Sequence, residues 1–142
     1  MSRKLFTAGC VVLLALGLVH MLGHYALTTS QGDDDAERQL LALMRSNPQD
    51  MGLGMHRTMF DIVTGFSLTF SVLPLAMGLA GLVVRRHAAA APGLLGQAAI
   101  VYAGTYGVMT GVALRYWFPF PLAFLAAAFV CFAAAVATAP RA

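Results

Sequence analysis

Charge is what this sequence has least of. Nine Lys and Arg and six Asp and Glu make 11% of 142 residues, where a soluble globular domain carries about a quarter. A chain with so few charges cannot coat a soluble core in polar groups. The basic residues give a formal net charge of +3, yet they never stand more than two in a row. That excludes the concentrated basic face that nucleic-acid binding needs. Cysteine is scarce too: Cys10 and Cys131 each fall inside an apolar block with no CxxC spacing, so neither a disulfide framework nor a thiolate zinc site is expected. HExxH, GxSxG, a P-loop and GxGxxG are all missing. No internal repeat suggests an inverted-repeat transporter.

What the sequence has is hydrocarbon: 59% of residues are hydrophobic, and they gather in four blocks, at about 5–27, 58–84, 93–114 and 120–138. Each block reaches the ~20 residues needed to cross ~30 Å of lipid. The first follows Ser2-Arg3-Lys4 and is too long for the core of a cleaved signal, with no A-x-A site after it. Thr7-Ala8-Gly9-Cys10 imitates a lipoprotein cleavage box, but only Leu5 and Phe6 precede it as apolar core. A retained span is therefore expected. The aromatic turn Arg115-Tyr116-Trp117-Phe118-Pro119 suits a membrane interface, and the fourth block ends at Pro140-Arg141. The expected fold is all-α, a single integral-membrane domain built as a four-helix bundle.

The polar segment 28–57 is expected to hold one short surface helix at about 35–46. Asp34 as N-cap and Glu37 three residues on form a capping box. The helix should stop at Ser46-Asn47-Pro48, because the residue before proline is pushed out of the α region. Its leucines fall on one face, as in a helix lying on a bilayer. Gly52 and Gly54 mark a loop or hinge before the second span. Asp33, Asp35 and Glu37 lack the rest of a calcium loop and read as a solvated helix start.

Arg3-Lys4 and Arg85-Arg86 flank spans directly, and Arg141 follows the last one. The six acids fall on or just inside the opposite side. The distribution predicts both termini in the cytoplasm of a bacterial inner membrane.

One end of the bundle then collects the ionisable groups. His20 and His24 lie one helical turn apart in the first span, with His56 and Asp61 at the start of the second. Histidines from one helix face with a third ligand from another helix can hold zinc or copper. Met51, Met55 and Met59, every fourth residue, with Met21 and Met44 nearby, would suit Cu(I). Haem needs axial histidines on facing helices, and His20 and His24 share one helix, His56 is too shallow and His87 is at the opposite surface, so haem ranks below zinc and copper. The competing reading is structural: Asp61 pairs with Arg57 or Arg115 in a polar cluster, and each histidine bonds a neighbouring helix. With no sharp ligand spacing, the structural reading is preferred and no cofactor is expected.

Thr64, Ser67, Ser71, Pro74, Gly78 and Gly81 line one side of the second span, and Gly104, Gly107 and Gly111 one side of the third. Such stripes let helices approach closely in lipid. A transporter would need a charged residue deep in a span, and none is present. Gly17-Leu18-Val19-His20 and Asp61-x-x-x-Gly65-Phe66-Ser67-Leu68 resemble an uncharacterised family of short bacterial four-span membrane proteins. That resemblance implies location and architecture. The expected function is non-enzymatic, exercised in the lipid bilayer through packing with itself or a membrane-protein partner.

Overall fold

Residues 1–91 and 93–139 are described by the computed structural model, and most of them are helix. In chain order the elements are α1 (Ser2–Thr29), α2 (Asp35–Ser46), β1 (Pro48–Asp50), β2 (His56–Thr58), α3 (Met59–His87), α4 (Leu94–Tyr116) and α5 (Pro119–Ala137). Three of these, α1, α3 and α5, are long and apolar enough to cross a membrane. The fourth expected span forms as α4, but it does not belong to that apolar set. Gln97, three tyrosines, two threonines and four glycines dilute its 23 residues. The ends assigned to the last span, Pro140 and Arg141, lie outside the described residues.

The polar segment, expected to hold one short helix followed by a loop or hinge, also contains strand, which corrects the all-α expectation. Between α2 and α3 the chain forms a two-stranded antiparallel hairpin, with Pro48 opposite Thr58, Gln49 opposite Arg57 and Asp50 opposite His56. Gly52, Leu53 and Gly54 turn it, with φ of 82°, 53° and 75°. The Asp50 carboxylate accepts from Gly52 N at 2.8 Å, and Met51 N donates to Met55 O at 2.9 Å. Two glycines that reach positive φ at no steric cost override the four-residue methionine spacing. Met51 and Met55 therefore do not share a helix face with Met59.

Two compact units share α1 and α3: Met1–Gly17 with Leu73–Ala142, and Leu18–Val72. The first has an aromatic centre. Phe132 of α5 meets Phe6 at 5.3 Å between ring centroids, Tyr102 at 4.9 Å and Tyr106 at 5.8 Å. Tyr102 donates its hydroxyl to Met77 O at 2.8 Å, which satisfies the polar tip of an otherwise buried ring. α1 and α3 run antiparallel here, and Arg3 at the start of α1 donates to Arg85 O near the end of α3 at 3.2 Å. α4 and α5 form a helical hairpin and pack along their length.

Glycine makes these approaches possible. A Cβ at Gly9 would stand 2.7 Å from the Phe132 ring, one at Gly78 2.9 Å from the Cys10 carbonyl oxygen, and one at Gly81 2.5 Å from Cys10 Sγ. The α4 stripe divides. A Cβ at Gly107 would meet Phe129 at 3.1 Å, whereas Gly104 and Gly111 face open space.

These contacts set an expected order of stabilities in detergent. Gly81→Ala should cost about 1–3 kcal/mol through overpacking, and adding Cys10→Ala, which removes the clashing sulfur, should restore part of it. Gly104→Ala should be neutral or stabilising, because alanine is the better helix former by up to ~1 kcal/mol. Thermal unfolding of the three variants checks this, and a Gly81→Ala protein as stable as the parent would refute the close contact.

Candidate functional site

The residues singled out for chemistry, apart from Arg115, lie in the unit Leu18–Val72. α1 carries His20 and His24 toward its C-terminal end, where Thr28 and Thr29 donate their hydroxyls back to the carbonyls of His24 and Tyr25. His20 is half-buried, with Nε2 3.4 Å from the Ser67 hydroxyl of α3 and its ring edge-on to Phe70 at 4.9 Å. Ser67 O in turn accepts from the fully buried Ser71 hydroxyl at 2.9 Å. An imidazole on a helix apolar enough to cross a membrane thus meets a hydroxyl and an aromatic face, the kind of engagement that offsets the cost of a polar group in such a segment.

His20 was expected level with Asp61, but its partner is Ser67. His20 lies nine residues before the end of α1 at Thr29, and Ser67 eight residues after the start of α3 at Met59. Counting inward from the two helix ends therefore pairs these two positions. One turn nearer the ends, His24 Nδ1 and Thr64 Oγ1 are buried without a hydrogen-bond partner among the described residues.

Asp61 does not take the guanidinium partner expected for it. Its carboxylate accepts from Thr58 N at 2.9 Å and Thr58 Oγ1 at 2.8 Å, while Asp61 N donates to Thr58 Oγ1 at 3.1 Å. Thr58 and Asp61 are three residues apart at the start of α3, so they form a reciprocal capping box, with the negative charge at the positive end of the helix dipole. A carboxylate three residues after a threonine, just before an apolar run, was the available signal. Arg57 donates instead to the His56 carbonyl at 2.8 Å, and Arg115 lies over the Tyr116 ring at 5.8 Å.

α2 starts at Asp35 with Asp34 as its N-cap, and Glu37 reaches one residue further back than a capping box requires. Asp34 caps it by accepting from Glu37 N at 2.8 Å, and Glu37 reaches back to Asp33 N at 2.8 Å. Arg38 pairs with Asp35, the one ion pair among the described residues. Arg45, which sequence reasoning passed over, joins three elements. It donates to Ser30 O at 3.3 Å, beyond the end of α1, and its guanidinium lies 4.5 Å from the centroid of Phe60 in α3.

The four candidate metal ligands are thus distributed over separate local roles. Among the described residues no three His, Cys, Asp or Glu side chains form a group able to hold a metal ion. The arrangement engages His20, Ser67, Ser71, Thr58 and Asp61 at one end of α1 and α3 and leaves His24 Nδ1 and Thr64 Oγ1 unpartnered among the described residues. Comparison adds no relative: no family model, curated protein or solved structure matches the chain.

The capping box has a measurable signature. Thr58→Ala and Asp61→Ala should each cost about 1 kcal/mol, and the double variant less than their sum, because the hydrogen bond from Thr58 Oγ1 to the Asp61 carboxylate is lost in either one. Additive losses would show that Asp61 draws its stabilisation from elsewhere.

Proposed function

We propose that the chain is an integral protein of the bacterial inner membrane with four spans and both termini in the cytoplasm. It acts without catalysis, through lateral packing of its helices, first of all with a second copy of itself. The observation that carries this reading is the uncovered face of α4. Gln97, Gly104, Thr105, Gly111 and Arg115 are exposed there, beside Ile100, Val101 and Val108. A helix that presents amide, hydroxyl and bare glycine backbone to lipid forgoes the packing and hydrogen bonding that hold helices together in a bilayer. A partner helix would supply both.

The place of α4 as the fourth span is supported by its length, ~34 Å at 1.5 Å per residue, and by its packing along α5, which is apolar enough to cross. The orientation is supported by the charge distribution. Arg3 meets the carbonyl of Arg85, so the basic ends of α1 and α3 lie together, and basic residues beside span ends are retained in the cytoplasm. The same layout is what the resemblance to short four-span bacterial proteins implies.

Cysteine chemistry in native membranes tests both parts, with Cys10 and Cys131 replaced by alanine. Gly104→Cys and Gly111→Cys should each give a crosslinked dimer on mild oxidation, whereas Leu79→Cys, exposed on α3, should not. An impermeant thiol reagent added from outside should label Gln49→Cys and spare Ala89→Cys. No dimer from either α4 position would remove self-association, and reversed labelling would invert the orientation.

A further inference from the structure

The tip of the β1–β2 hairpin is built against its own backbone preference. Leu53 has a φ of 53°, the one positive value at a non-glycine among the described residues. A side chain in the left-handed region is sterically costly, and glycines already occupy both neighbouring positions, Gly52 and Gly54. Yet position 53 carries a leucine whose side chain makes no use of the fold, being 99% exposed. Strain held at an exposed site points to a use for the side chain outside the chain itself.

The surroundings identify that use. The hydrogen bond from Met51 N to Met55 O continues the ladder, so these two half-exposed methionines stand opposite each other behind Leu53 and point to one face of the hairpin. β2 ends at Thr58 and α3, a helix apolar enough to cross a membrane, begins at Met59. Two strands of three residues extend only ~10 Å at ~3.3 Å per residue, so the tip cannot leave the neighbourhood of the bilayer boundary. α2 packs on β2 and leaves Leu40 and Leu43, neighbours on its apolar face, 56% and 61% exposed.

We propose that Leu53 with Met51 and Met55, assisted by Leu40 and Leu43, is a lipid-surface anchor. It seats between headgroups and acyl chains of the leaflet in which α3 begins. The proposal rests on α3 spanning that membrane. Seating apolar groups at this depth recovers their hydrophobic free energy, and the rigid turn presents them without a further ordering cost. The anchor would fix the height of α3 in the bilayer through the one-residue junction at Thr58.

The test uses the full chain in phosphatidylcholine–phosphatidylglycerol vesicles. Leu53→Trp is compared with Ala42→Trp, which lies on the opposite side of α2 from the leucines. Emission is taken as the difference from the unmodified protein, whose one tryptophan is Trp117. Circular dichroism verifies that each variant is folded. Leu53→Trp should emit to the blue of Ala42→Trp, lose emission when the phosphatidylcholine is brominated near its carbonyls, and resist aqueous iodide. Water-like emission, quenched by iodide and indifferent to bromine, overturns the anchor. If alkaline carbonate also leaves that protein in the vesicles, the membrane reading survives alone. Release by carbonate overturns both.

Discussion

Phe132 lies so close to Gly9 that no methyl group fits between them, and the aromatic centre depends on that distance. With the ring in place, Phe6, Tyr102 and Tyr106 close around it. Tyr102 spans to the carbonyl of Met77, and Gly81 leaves room beside that hydroxyl and Cys10. In lipid, apolar side chains gain nothing by leaving one hydrocarbon for another, so close van der Waals contact and buried hydrogen bonds must hold the helices. Glycine opposite an aromatic ring supplies the first, and a tyrosine hydroxyl on a helix carbonyl the second.

The other unit solves a different problem, accommodating polar groups and irregular backbone at the ends of two helices apolar enough to cross a membrane. Each helix start there is closed by a side chain of its own: Asp34 and Glu37 for α2, Thr58 and Asp61 for α3. Arg45 binds the end of α1 to the start of α3 through a carbonyl and an aromatic face. His20 finds Ser67 rather than open hydrocarbon. The result is a polar end whose donors and acceptors are mostly consumed locally, with His24 Nδ1 and Thr64 Oγ1 the buried exceptions among the described residues.

Much of this was legible in the sequence where the signal is local. The apolar blocks, the α2 capping box, the stop at Asn47-Pro48 and the free cysteines follow from neighbours within a few residues. The hairpin was not legible, since three-residue strands carry too little periodicity and the Met51-Met55-Met59 spacing imitated a helix. Asp61 was read by its charge, which seeks a cation, although its place three residues after Thr58 decided its partner. Gly104, Gly107 and Gly111 look alike as letters. Only the position of Phe129 separates the one that packs inside the chain from the two that do not.

The two units also differ in how the chain reaches them. Leu18–Val72 is one unbroken stretch, whereas the other unit joins Met1–Gly17 to everything from Leu73 onward. Phe6 must wait for Phe132, 126 positions later, while His20, Arg45, Phe60 and Ser67 all fall within 47 positions of one another. Contacts between distant positions form late, and domains tend to close in the order of synthesis. The polar end of the molecule is thus the part that can be finished first. The first turns of α1 are made long before the aromatic ring that will cover Gly9, an exposure that hydrocarbon tolerates and water does not.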